Sequence, residues 1–342
     1  MALLSRGWKP KRLRDQVIVI TGASSGIGLA TARMAAARGA GVVLTSRNER
    51  DLRVAVQEID ARGGRATHVV ADVAVPEEMD RVANVAIREF GGFDTWVNNA
   101  GISIFGKLID VPMEDKKRLF DTNFWGVVNG CRTAVRYFAG RGGTIINIGS
   151  VVSDRAIPLQ GMYSASKHAV RGYTDALRME LEHDGLPITV TLVKPSSINT
   201  PFLDHARNYM PDAPTLPPPV YAPEVVARAI LKCADRRIRE ITVGGGGRMI
   251  TAMGRLAPRT MDSLMERTMF DAQKDKGRSV QPVDSLYRPT RDGEASGPYE
   301  GHVMQSSLYT RAVMSNFTRA LPFIAAGAIM AGATRWKSRG DS

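Results

Sequence analysis

A buried-strand run, Val17-Ile18-Val19-Ile20, leads straight into Thr21-Gly22-Ala23-Ser24-Ser25-Gly26-Ile27-Gly28. A helical pattern follows, with Ile27, Ala30, Met34 and Ala37 at helical spacing. No other stretch narrows the fold as much. Strand, glycine-rich turn and helix, in that order, are the context in which such a turn binds a dinucleotide. Gly22 allows the tight turn, Gly26 lets the backbone approach a pyrophosphate, and Gly28 lets helix pack on strand. The helix start, with Ser24, Ser25 and Ile27 beside the glycines, offers phosphate its free N–H groups and a partial positive charge.

The same alternation continues. Apolar runs at Gly41–Thr45, Ala66–Val70, Asp94–Val97, Thr144–Ile148, Ile188–Val193 and Glu240–Val243 read as strands, and helical patterns lie between them. Pro76–Phe90 starts with a proline suited to a first turn, and Asp115 to Ala139 reads as one long helix. Repeated β–α units over residues 15–250 predict an α/β fold with a doubly wound, mostly parallel sheet. Right-handed crossovers place a cofactor at the carboxyl ends of the strands. The second strand ends in Ser46-Arg47-Asn48, with no acid before Glu49 to bind ribose hydroxyls. Arg47 is suited instead to a 2′-phosphate, so this turn favours NADP(H) over NAD(H).

A second constellation lies between Gly143 and Lys167. Its strand ends in Gly149-Ser150, and a helix starting near Gly161 carries Tyr163 and Lys167. Positions i and i+4 share a helix face, so phenol and ammonium point into the same space. A nearby cation favours the phenolate and draws the group toward acid–base work. Ser150 adds a hydroxyl aimed at a substrate oxygen.

Together, Gly-x-x-x-Gly-x-Gly, Asn98-Asn99-Ala100-Gly101 and the set Ser150, Tyr163, Lys167 resemble the short-chain dehydrogenase/reductase family. The resemblance covers residues 15 to about 250 and implies a Rossmann fold and reversible hydride transfer between NADP(H) and a carbonyl or secondary alcohol. It implies that Tyr163 is the acid/base, Ser150 holds the reacting oxygen, and Lys167 binds the nicotinamide ribose and lowers the Tyr163 pKa. Asn123 then holds a relay water. Asp72 with Val73 lies on the adenine side, Asn99, Ala100 and Gly101 brace the cofactor, and Pro195 to Thr200 meets the carboxamide. Ser196 departs from the family's usual glycine. Helices around Asn123 and after Tyr163 form subunit interfaces in this family, which implies a homodimer or homotetramer. Ile102, Ile104, Phe105, Val151, Val152, Phe202 and Leu203 are candidate walls for a hydrophobic small-molecule substrate.

Outside this domain lie a basic arm (1–14), an extension with a polar linker (251–310) and a C-terminal apolar and basic helix (311–342). Met261–Phe270 reads as helical and Asp271 to Gly301 as an extended linker. The proline-rich stretch Phe202 to Tyr221 has the length of a lid or binding segment. The run Ala320–Ala333 is shorter than the roughly 20 residues that span a bilayer. Trp336 between Arg335 and Lys337 suits a membrane interface, which the polar linker would let it reach; the other reading is a terminal helix packed against the catalytic domain or a partner subunit, its basic end complementing its own macrodipole. Formal charge is +12, from 46 Lys+Arg against 34 Asp+Glu. No nucleic-acid signature accompanies it, and a basic surface also favours phosphorylated cofactors. The two cysteines, Cys131 and Cys233, suggest neither a disulfide framework nor a metal site. A reducing, cytoplasmic compartment is the simplest reading, with too short an apolar start for a signal peptide. Two other classes are a cofactor-binding regulator without turnover and a peripheral membrane adaptor. The intact Asn123, Ser150, Tyr163 and Lys167 set argues for an enzyme.

Overall fold

The computed structural model describes residues 8–246, 253, 254, 256–280, 283–290 and 293–315. Seven strands build the central sheet: β1 (Val17–Thr21), β2 (Gly41–Ser46), β3 (Arg65–Val70), β4 (Thr95–Asn98), β5 (Gly143–Ile148), β6 (Ile188–Pro195) and β7 (Glu240–Val243). Their spatial order is β7-β6-β5-β4-β1-β2-β3, and every neighbouring pair is parallel. The order reverses between β1 and β4, which opens a crevice at their carboxyl ends. The doubly wound sheet expected from the sequence is therefore present.

Side chains of β1 alternate between two cores, as the period of a strand requires. Ile18 and Ile20 join α1 (Gly26–Ala36), α2 (Glu49–Ala61) and the helix Pro223–Asp235 on one face. Val19 joins α3 (Pro76–Phe90), α5 (Gly126–Phe138) and α6 (Gly161–His183) on the other. Each such fully buried Val or Ile contributes about 1.5–3 kcal/mol.

The long helix expected from Asp115 to Ala139 is present and carries one irregularity. Met113–Phe120 (α4) passes through a π-helical turn, Asp121–Trp125, before α5 begins. Asn123 sits in that turn, where its amide bonds the backbone of Ile102 rather than facing solvent. At the start of α5, Gly126 meets β3's outgoing loop so closely that a Cβ would lie 2.5 Å from Val73.

The linker expectation is also corrected. Val303–Met304 pairs parallel with Val220–Tyr221, and Lys274–Asp275 pairs antiparallel with Ala213–Pro214. Between them, residues 283–290 and 293–302 lie on the catalytic domain, held mainly through their own backbone groups. Such a segment needs no hydrophobic pattern, which is why it reads as a linker. The expected helix at Met261–Phe270 is present as Pro258–Ala272. Part of the basic arm also docks, with Lys11 2.7 Å from Asp94 and the Trp8 carbonyl accepting from Arg237. The apolar run Ala320–Ala333 and the basic end Arg335–Arg339 lie outside the described residues. Among those described, no helix is long and apolar enough to cross a membrane.

Candidate active site

A buried polar ladder positions α6. Trp96 Nε1 donates to Asn98 Oδ1 at 2.8 Å, Asn98 to Asn147 at 2.8 Å, and Asn147 to Thr174 at 3.0 Å. The ladder ties β4 and β5 to the middle of α6, which fixes the height at which Tyr163 and Lys167 emerge. Gly130 leaves room for it, since a Cβ there would fall 2.0 Å from Asn98 Oδ1.

Ser150 follows β5 in extended backbone and opens a short 3-10 turn, Val151–Ser153. Its N–H donates to Ser153 Oγ at 3.1 Å, which locks the turn. The Ser150 hydroxyl donates to the Pro195 carbonyl at 3.5 Å and lies near the Tyr163 hydroxyl. The Tyr163 ring lies 5.5 Å from that of Phe202. Lys167 is buried on the next turn, with Nζ donating to the Ile148 carbonyl at 2.8 Å.

The expected lowering of the Tyr163 pKa by Lys167 is not what the geometry gives. Burial pushes Tyr163 up to about 12, and only the Ser150 hydrogen bond opposes it. Burial also pulls Lys167 down to about 8. The ammonium is directed at a backbone carbonyl and lies 5.7 Å from the Tyr163 ring centre. Desolvation therefore dominates for both groups.

The glycine-rich turn is built as the sequence requires. Gly22 has φ +63°, and a Cβ there would sit 2.7 Å from Ala100 Cα. Asn99 Nδ2 donates to the carbonyls of Thr21 at 2.9 Å and Gly22 at 3.0 Å. Thr21 Oγ1 accepts from the N–H groups of Asn99 and Ala100 at 2.9 and 3.0 Å. The β1 turn and the end of β4 are thus one braced unit. A long cavity runs beside it, from Ser46, Arg47 and Asn48 past the turn to Ser150, Tyr163 and Lys167.

Among the residues singled out from sequence, Gly22, Ser24, Ser25, Gly26, Ile27, Arg47, Asp72, Val73, Asn99, Ala100, Gly101, Pro195 and Thr200 also line this cavity. Gly28 lies beneath the turn instead, and Asn123 is fully buried beside it. Both N–H groups of the Asn123 amide are taken, by Ile102 O at 2.9 Å and Ser166 Oγ at 3.1 Å. That amide cannot donate to a relay water. A cavity with a glycine cradle at its middle and a cation at one end fits a nicotinamide dinucleotide.

Three expected wall residues are elsewhere. Ile104 and Phe105 pair with Arg207–Asn208 and are buried, and Leu203 packs with Phe105 and Leu159. Ile102, Val151, Val152 and Phe202 do line the cavity. Sequence reasoning missed Arg155, His205, Met265, Met269, Ser285, Pro289 and Thr290, which complete the wall. It also missed Arg118, whose guanidinium pairs with Asp72 behind Arg47. None of these carries a motif, and several come from the extension. Ser196 is accommodated because Gly244, at φ +103°, leaves the space a side chain would fill.

The chain matches the family model for short chain dehydrogenase over residues 16–210. It is 43% identical over 332 residues to an uncharacterized oxidoreductase, YxnA, of Bacillus subtilis (strain 168), covering 96% of this chain and 91% of that one. A 3-ketodihydrosphingosine reductase of Bacteroides thetaiotaomicron is 39% identical over 194 residues, 56% of this chain and 68% of the relative. A short-chain dehydrogenase/reductase of Burkholderia phymatum, solved with NAD, superposes with TM-score 0.63 at 26% identity, covering 80% of this chain and 99% of that one. The Rossmann sheet, the braced glycine turn and these matches place the chain in the short-chain dehydrogenase/reductase family, as an NAD(P)-dependent oxidoreductase.

Proposed function

We propose that the protein interconverts a carbonyl and a secondary alcohol on a hydrophobic substrate, with NADP(H) and with Tyr163 as acid/base. One observation carries the reading: Ser150, Tyr163 and Lys167 line one cavity together with the glycine turn and a set of apolar side chains. Phe202, Leu216, Met265 and Met269 are among those side chains, and methionines adapt to irregular ligands. The name of the 3-ketodihydrosphingosine reductase is in keeping with such a substrate.

When bound, the nicotinamide supplies or takes up the hydride. The chain supplies the proton and the alignment. In reduction, the Tyr163 Oη–H bond breaks and its proton passes to the substrate oxygen, leaving a phenolate that solvent reprotonates. A pKa of about 12 keeps the phenol protonated and ready for that step at neutral pH. Ser150 donates a hydrogen bond to the same oxygen as negative charge builds there. Lys167 holds the ribose beside Tyr163. NADPH oxidation against a panel of ketones, aldehydes and ketoacyl thioesters tests the reading, and failure across the whole panel counts against it.

Arg47 supports the choice of NADP(H), since it sits at the end of β2 where an NAD site carries an acid. Asp72, at 4.0 Å, does not replace that acid, because Arg118 already neutralises it. NADPH is expected to bind at least several-fold more tightly than NADH. Arg47→Ala should narrow that gap, by roughly ten-fold for the loss of a charge-assisted contact to the 2′-phosphate. Equal titration curves for the two cofactors in the parent protein would remove the argument.

Exposed Trp125 and Met179, beside α5 and on α6, support a homodimer or homotetramer through these helices. The basic and aromatic sequence of residues 335–339 supports peripheral membrane contact. Sedimentation with and without anionic vesicles at low salt tests both. The mass gives the oligomer, and a protein that ignores the vesicles has no such contact.

A further inference from the structure

Residues 283–290 wall the cofactor cavity at its β2 end, and residues 293–304 run on past the glycine turn and Thr200. At the β2 end, the Arg47 guanidinium donates to the carbonyls of Ser285, Leu286 and Tyr287, the last two at 3.3 Å. Asn48 Nδ2 donates to Thr290 O at 2.7 Å. At the glycine turn, the Gly26 N–H at the start of α1 donates to Glu294 O at 2.9 Å. At the far end, Gly297 lies so close to Thr200 that a Cβ would come 2.3 Å from its carbonyl oxygen, and Tyr299 N donates to Asn199 Oδ1 at 3.3 Å. Ser285, Pro289 and Thr290 face Ser46, Arg47 and Asn48 across the cavity.

The segment is anchored away from the cavity. Buried Asp115 accepts from Tyr287 Oη at 2.8 Å, from Arg207 at 3.1 Å and from Tyr209. Arg207 in turn holds Asp284 at 2.9 Å, and Leu286 is fully buried beside Leu119. Arg118 Nε donates to Leu286 O at 3.0 Å.

We propose that this C-terminal strap is part of the dinucleotide site: it forms the outer wall at the adenosine end, latches onto the glycine turn, and must lift for cofactor exchange. The family match ends at residue 210, so the wall comes from outside the matched region, whereas the match to YxnA spans 96% of the chain. The proposal rests on a dinucleotide occupying the cavity, and on neither the preference for NADP(H) nor the substrate. A site walled on this side binds and releases slowly, because leaving it means breaking the carbonyl contacts to Arg47, Asn48 and Gly26 together.

The full-length protein provides the test, with NADPH and NADH as probes. Hydrogen exchange of the strap amides is expected to slow when either cofactor is added. Gly297→Val wedges a branched side chain against the Thr200 carbonyl and pushes the strap outward. Asp284→Ala combined with Tyr287→Phe releases its anchor. Both variants should lose cofactor roughly ten-fold faster in stopped-flow displacement, for NADPH and NADH alike. Strap exchange unchanged by cofactor, or release at the parent rate in either variant, overturns the proposal. Acceleration confined to NADPH also overturns it, since that would mean misplacement of Arg47 rather than an opened wall.

Discussion

Tyr163→Phe is expected to lower turnover by roughly a hundred- to ten-thousand-fold, the range for losing a positioned general acid. The ring, its contact with Phe202 and the helix around it are unchanged, so cofactor affinity and the melting temperature should stay near those of the parent. The variant removes one proton donor and leaves the Ser150 bond to the Pro195 carbonyl in place. The pH profile offers an independent check. Tyr163, raised to about 12, should contribute no inflection below that range. Lys167, lowered to about 8, is an ammonium below that pH and neutral above it. The cofactor-dependent kcat/KM of the parent is therefore expected to fall as pH rises through about 8. Steady-state rates across pH, with matched thermal melts, measure both effects. A Tyr163→Phe protein that keeps more than a few per cent of its rate on a true substrate would refute the proton-donor role.

Gly28→Ala is expected to abolish measurable cofactor binding, although Gly28 does not line the cavity. A Cβ at that position would lie 2.2 Å from Gly22 O and 2.7 Å from Asn99 Nδ2. Neither neighbour can yield alone. Gly22 O accepts from Asn99, and Asn99 is tied by its own N–H to Thr21, whose hydroxyl also holds Ala100. One methyl group therefore displaces the helix start from the strand end and splays the cradle. Overpacking of this kind destabilises by about 1–3 kcal/mol. Breaking the Asn99 brace adds about 1 kcal/mol. Fluorescence titration with NADPH and a thermal melt separate loss of the site from loss of the fold. A dissociation constant near the parent's would mean that the turn tolerates the extra atom and that the brace is not rigid.

How much of this was legible beforehand depended on distance along the chain. Val17–Gly28 and Gly161–Lys167 each carry their geometry within a few residues: a β-branched run, glycines where φ must be positive, and an i to i+4 step on one helix. The alternation of strand and helix follows from the same local periodicities, and the seven strands of the central sheet differ from the sequence reading only at their ends. The π-helical turn around Asn123 was not legible, and neither were the bonds of its side chain to Ile102, 21 residues away, which no local pattern announces.

Sequence by itself therefore determined the doubly wound sheet, the glycine-rich turn and the shared helix face of Tyr163 and Lys167, because each is set by short-range steric and periodic rules. Tertiary structure alone decided the rest. It put Ile104, Phe105 and Leu203 into the core and brought Met265 and Met269 to the cavity, since apolar residues look alike until their burial is known. It reversed the expected direction for Tyr163, because desolvation is a property of the whole surrounding fold. It also turned an apparent linker into the strap beside Arg47. Those contacts use backbone carbonyls, which every residue carries, so no pattern of side chains could announce them.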